Sequence, residues 1–227
     1  MSMEVKTDEK NLQACVILVH GLARSARSMN KMANALQRTR YNVVNLDYPS
    51  RHHPIEYLAE NYFPPAIRQC GNQKIHFVTH SMGGVLVRYY LSQHKLPKLG
   101  HVVMLSPPNQ GSEVVDKLGE LWAFEALNGP AGKQLTTKNG LPNQLGAVDY
   151  PVGVITGDKS INLILSMLIP GTDDGKVSVE RAKVEGMVDF LVVPHTHPLI
   201  MRSDHVIEQT LYFLRHKMFI KEGVAND

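Results

Sequence analysis

The chain has 227 residues, long enough for one α/β domain with a large core and short for two. Its 43% hydrophobic and 20% charged residues are ordinary for a soluble globular protein. The formal net charge is +3 and the basic residues are scattered, so composition excludes a nucleic-acid-binding footprint.

The two cysteines, Cys15 and Cys70, make no disulfide framework and no C-x-x-C motif. Cys15 lies in an apolar run and is expected to be a buried free thiol. The opening "MSMEVKTDEKNLQ" is charged and lacks the apolar core of about 7–15 residues found in a signal peptide. The most apolar later segment, "INLILSMLIPG", falls well short of the ~20 residues needed to cross a bilayer. The expectation is a cytoplasmic protein without a transmembrane segment.

In chain order, "ACVILVH" (14–20) reads as a buried strand and "MNKMANALQRTR" (29–40) as a helix with Met29, Met32, Ala33 and Leu36 on one face. "YNVVNLDYP" (41–49) is a strand stopped by Pro49. Residues 55–69 have a helical pattern that Pro64-Pro65 is expected to end or restart, because proline has no amide donor and clashes with the preceding turn. "KIHFVTH" (74–80) is the next strand, and the helical pattern "MGGVLVRYYLSQH" (82–94) follows it directly. "HVVMLSP" (101–107), "PVGVITGD" (151–158) and "MVDFLVV" (187–193) complete the strands, and a helix closes the chain over 204–216. Residues 108–149 are rich in Gly, Pro and Asn and form an irregular insertion with a helix near 112–126. Alternating strands and helices give a single domain, a mostly parallel sheet with helices on both faces.

A serine hydroxyl attacks an acyl carbon at neutral pH only when a base removes its proton and an acid orients that base. Ser81 has the setting for this role. The strand runs into Thr79-His80-Ser81-Met82-Gly83-Gly84 and a helix starts at once, the strand–turn–helix arrangement that lifts a nucleophile clear of a sheet. The departure is Thr79, which occupies the first glycine position of the usual G-x-S-x-G pattern and needs a small neighbour or a widened turn.

Together "VILVHGLARSARSM", "VTHSMGG", "LSPPNQGSEVVDKL", "DDGKVSVERAKVEGM" and "VPHTHPLIMRS" resemble the lipase/esterase branch of the α/β-hydrolase fold, over nearly the whole chain. The resemblance implies an oxyanion loop at His20-Gly21-Leu22, with the amides of Leu22 and Met82 as the two donors. His20 then supports the loop and is not the base. The family's order of serine, acid, histidine narrows the partners. Asp174 matches the D-G-x-V-S turn that carries the acid in the resembled lipases; Asp158, after "GVITG", and Asp173 remain alternatives. His197, ahead of "PLIMRS", is favoured as the base over His195, and Pro198 is a departure from many relatives.

The implied activity is hydrolysis of small-molecule or lipid esters through an acyl-enzyme. Thioesterase, amidase or acyltransferase chemistry with the same triad, and a non-catalytic ligand-binding relative, remain alternatives. Residues 108–149 are expected to overhang the site, with Leu118, Leu121, Trp122, Phe124 and Leu127 lining an acyl pocket or packing on the core. No cofactor is implied. His195-Thr196-His197 and His52-His53 lack the spacing of a metal site.

Overall fold

In the computed structural model, residues 14–118, 122–160, 166 and 169–221 are described, with side chains left out at 122–127. The strands are β1 (Cys15–Val19), β2 (Asn42–Leu46), β3 (Ile75–His80), β4 (Leu99–Leu105), β5 (Val152–Gly157) and β6 (Asp189–Val193). They form one sheet in the order β2-β1-β3-β4-β5-β6, every pairing parallel. The helices are α1 (Asn30–Arg38), α2 (Ile55–Gln69), α3 (Met82–Gln93), α4 (Glu113–Leu118), α5 (Trp122–Lys133), α6 (Leu141–Gln144), α7 (Val179–Ala182) and α8 (Asp204–His216).

The core is two layers separated by the sheet, and β1 shows why its sequence is apolar throughout. Cys15, Ile17 and Val19 point into a layer shared with Phe63 of α2 and Leu86 of α3. Val16 and Leu18 point the other way, against Met32 and Leu36 of α1 and Phe213 of α8. Side chains alternate faces along a strand, so two-sided burial requires an unbroken apolar run.

The connectivity reverses between β1 and β3: the chain steps outward from β1 to β2, then crosses back to place β3 on β1's other side. In open parallel sheets a crevice opens at the carboxyl ends of strands at such a reversal. Here those ends carry His20-Gly21-Leu22 and His80-Ser81.

Two expectations are corrected. Cys15 is not a free thiol: it is disulfide-bonded to Cys70, with Cα atoms 5.5 Å apart. Cys15 opens β1 on the face toward α2, and Cys70 caps the carboxyl end of α2, so packing that helix on the sheet brings the sulfurs together. The 55-residue separation gave no motif by which sequence reveals the pairing. Likewise, α2 runs unbroken through Pro64 and Pro65. Buried Phe63 and Ala66 anchor that stretch, while Pro65 is exposed and Pro64 half-buried on the outer face, where the carbonyls freed of their donors approach solvent. The apolar segment 161–171 and the side chains of Leu121, Trp122, Phe124 and Leu127 lie mostly or wholly outside the described residues.

Closing a loop of 55 residues restricts the unfolded chain by about 4 kcal/mol in the chain-entropy treatment. Reduction with a thiol is therefore expected to lower Tm by about 10 °C. Scanning calorimetry of oxidised and reduced protein checks this, and coincident transitions would contradict it.

Candidate active site

Ser81 follows the last residue of β3 and is the N-cap of α3. Its backbone sits at φ 54° and ψ −127°, a left-sided conformation that costs a non-glycine residue roughly 1–3 kcal/mol. Two backbone bonds hold it there, from Ser81 N to Leu105 O (2.8 Å) and from Gly84 N to Ser81 O (3.0 Å). Gly83 permits the turn to lie against β1, since a Cβ there would stand 2.5 Å from the Val19 carbonyl oxygen. Thr79 is accommodated by the next glycine: a Cβ on Gly84 would be 3.3 Å from Thr79 Oγ1.

The Ser81 hydroxyl lies 3.0 Å from His197 Nε2, and His197 Nδ1 lies 2.8 Å from Asp174 Oδ2. His197 and Asp174 are buried. A carboxylate accepts, so the imidazole carries its proton on Nδ1 and presents an Nε2 lone pair to the serine. The turn bearing Asp174 is built locally. Asp174 Oδ1 accepts from the amides of Lys176 (3.0 Å) and Val177 (2.9 Å), and Gly175 takes φ 98° to make the bend. A backbone bond from His197 N to Asp174 O (2.9 Å) joins the two loops that carry these side chains.

Burial pushes the Asp174 carboxyl up, but the His197 charge, the hydrogen bond to His197 and smaller contributions from Ser106 and Val177 outweigh it, leaving the pKa below the ordinary carboxylate value. Ser106 is near enough to lower that pKa, although its Oγ has no partner of strict hydrogen-bond geometry among the described residues. Ser106 itself is fully buried with φ 47° at the end of β4. The sequence gives no sign of this residue's closeness to the acid.

The other residues singled out by the sequence lie off the Ser81–His197–Asp174 chain. Asp158 is not at the imidazole: its nearest charged partner is Lys159, 3.8 Å away. Asp173 accepts from Ser166 Oγ (2.8 Å) and Gly175 N (2.6 Å), bracing the same turn. His195 Nε2 is bonded to Ser203 Oγ (2.7 Å), ahead of α8. His20 stacks on Tyr48 at 4.1 Å, and the Tyr48 hydroxyl donates to His20 O (2.6 Å), tying the loop that carries Leu22 to the segment after β2. His205, in the first turn of α8, is exposed, and Ser203 caps that helix, accepting from Val206 N.

His80 is a further member of the site. Its Nε2 donates to His197 O (3.0 Å), so a neutral His80 has a bare Nδ1, which has no partner among the described residues. Burial first, and then the His197 charge, hold the His80 pKa well below the usual histidine value. Ser81, His197, His80 and Leu22 open on a cavity of about 210 Å³ whose apolar wall includes Val114, Val115, Leu118 and Leu135. Among the described residues no group of three His, Cys, Asp or Glu side chains converges as metal ligands would.

A sequence model described as the α/β hydrolase fold matches residues 15–147. The chain belongs to the α/β-hydrolase family. Among solved structures, this α/β hydrolase resembles the mature form of a Bacillus licheniformis lipase, with TM-score 0.71 and 19% identity over 90% of this chain and 93% of that one. It also resembles a phospholipase from Legionella pneumophila, with TM-score 0.70 and 20% identity over 90% of this chain and 59% of the other. An esterase from a Rhodococcus species aligns with TM-score 0.60 and 14% identity over 88% and 90% of the two chains. At these identities the likeness shows the fold. No curated protein sequence is significantly similar to this chain.

Burial also lowers the pKa of His20, and it carries His76 of β3 down to about 4. For groups depressed in this way the unfolded chain takes up protons below about pH 6.5 while the native state stays neutral. Their stability is thus complete above that pH and is lost as pH falls toward 4, where His76 charges in the native state. The depressed Asp174 adds a loss only below its unfolded value of 3.8. Tm is expected to fall steadily between pH 7 and pH 5; a flat profile by differential scanning fluorimetry would refute the assignment of neutral buried histidines.

Proposed function

We propose that this α/β hydrolase cleaves carboxylic esters through an acyl-enzyme on Ser81, with His197 as general base and acid and Asp174 as its orienting carboxylate. The observation carrying this reading is the continuous chain Asp174 Oδ2–His197 Nδ1 (2.8 Å) and His197 Nε2–Ser81 Oγ (3.0 Å) beside an open cavity.

Ser81 Oγ attacks the ester carbon while its proton passes to His197 Nε2. Asp174 stabilises the resulting imidazolium and keeps the tautomer correct. The carbonyl oxygen becomes an oxyanion, received by the backbone amides of Leu22 and Met82. In support of that role, neither amide donates to another described residue, and Met82 N stands at the amino end of α3, where helix amides favour negative charge. One fixed donor of this kind is typically worth about 3 kcal/mol of barrier. Collapse of the intermediate breaks the carbon–oxygen bond of the ester, and His197 returns its proton to the departing alcohol. Water then repeats the sequence, releases the acid and restores Ser81.

Residues 108–149 act as the cap of the site: α4 contributes Val114, Val115 and Leu118 to the cavity wall, and Leu135 comes from the segment after α5. The lipase, phospholipase and esterase among the structural neighbours fit an ester substrate. As for location, the Cys15–Cys70 bridge favours an oxidising compartment over the cytoplasm expected from sequence.

S81A is expected to abolish both ester hydrolysis and labelling by a fluorophosphonate, and retention of both would sink the nucleophile assignment. D174N should lower kcat by about 10⁴-fold, whereas D158N should change it little. A larger loss in D158N would move the acid to the end of β5. Matched ester, thioester and amide substrates then rank the acyl donors.

A further inference from the structure

Two cations share the cavity with the reactive serine. Arg24 stands two residues beyond Leu22, and Lys176 two residues beyond Asp174; both line the space onto which Ser81 and His197 open. Each is thus held by a loop that the catalytic geometry already fixes. Arg24 also borders an adjoining shallow cleft with Ser25, Arg27 and Arg202. Basic side chains therefore run from the cavity wall out along one side of the site, while Val114, Val115 and Leu135 make the opposite character at the cap.

Among the described residues none of Arg24, Arg27, Lys176 or Arg202 forms an ion pair. The nearby acids are engaged elsewhere. Asp47 accepts from the Ala26 amide (2.8 Å) and lies 3.4 Å from His20 Nε2. Asp204 is paired with Lys31 at 2.8 Å, and Asp174 is held by His197. Lys176 is accessible to solvent yet walled by protein atoms, and burial followed by repulsion from Arg24 lowers its pKa, only partly opposed by Asp174. Arg24 and Lys176 thus face the same cavity and repel one another there, with Asp174 a partial counter-charge.

We propose that the ester taken by this site carries an anionic group, a phosphate or similar oxyanion, on its alcohol portion, received by Arg24 and Lys176 while the acyl chain lies along Val114, Val115 and Leu135. The proposal rests on the serine-esterase reading above and adds the charge of the substrate to it. A guanidinium fork and an ammonium together suit a tetrahedral or planar oxyanion, and the flanking Arg27 and Arg202 extend the field that draws it in. An anion here relieves the repulsion between the two cations, which a neutral alcohol portion leaves in place and a cationic one worsens.

The test measures kcat/KM of the full chain for three soluble butyryl esters below their aggregation limits, with glycerol 3-phosphate, glycerol and choline as the alcohols. The phosphate ester should be favoured over the neutral one by about tenfold, choline should be the poorest, and added salt should erode the advantage. In R24Q and K176Q the ratio of phosphate to neutral ester should fall toward one through KM, with Tm preserved because both side chains are exposed. Equal rates on all three esters, or an undiminished ratio in both variants, would overturn the proposal while leaving the esterase reading intact. A preference that emerges only with long-chain substrate in anionic vesicles would also overturn it, since the cations would then be reading a lipid surface. If no ester is cleaved and Ser81 resists fluorophosphonate, the esterase reading itself fails and this proposal with it.

Discussion

The amino end of α3 lies so close to the carboxyl end of β1 that Gly83 has no room for a side chain against the Val19 carbonyl. Much of the site follows from that contact. It accompanies the positive φ of Ser81, and the loop after β1 packs on the same turn, since a Cβ on Gly21 would stand 3.0 Å from Ser81 Cβ. The neighbouring parallel pair β1–β3, at the reversal of strand order, supplies the two chain ends that meet there. Ser81 is kept in its unfavourable conformation by the bond to Leu105 O on β4, so the strain rests on three adjacent strands rather than on a loop.

Asp174 and His197 are positioned by a different device. A buried carboxylate is expensive unless both its oxygens are hydrogen-bonded. Asp174 meets the requirement with two amides of its own turn on one oxygen and the imidazole on the other. His80, held neutral beneath His197 and donating to its carbonyl, fixes the base loop without placing a second positive charge beside the imidazole. The charge of the site is therefore segregated: a carboxylate–imidazole pair inside, and Arg24 and Lys176, in no ion pair with another described residue, along the cavity.

Much of this was legible in the sequence because local grammar carried it. A strand flowing into Ser81-Met82-Gly83 has few physical outcomes, and the glycine after Asp174 announced a bend that needs φ 98°. Continuous apolar runs disclosed a sheet covered on both faces. Illegible were the features that depend on distant segments meeting. Cys15 and Cys70 are joined by the docking of α2, and Pro64-Pro65 continue a helix whose buried face outweighs two lost backbone bonds. The closeness of Ser106 to Asp174, and the shared cavity of Arg24 and Lys176, likewise exist only once β4, the acid turn and the loop after β1 converge.

The disulfide divides the site along the chain. The covalent ring from Cys15 to Cys70 encloses β1, the Leu22 loop and Arg24, whereas Ser81, Met82, Asp174 and His197 all lie beyond it. Leu22 and Arg24 are thus on the tethered segment, and the hydrogen-bonded chain of Ser81, His197 and Asp174 is outside it. In the unfolded chain, reduction therefore frees the segment that bears Leu22 and Arg24, while the segments that bear Ser81, Asp174 and His197 lie outside the loop it opens.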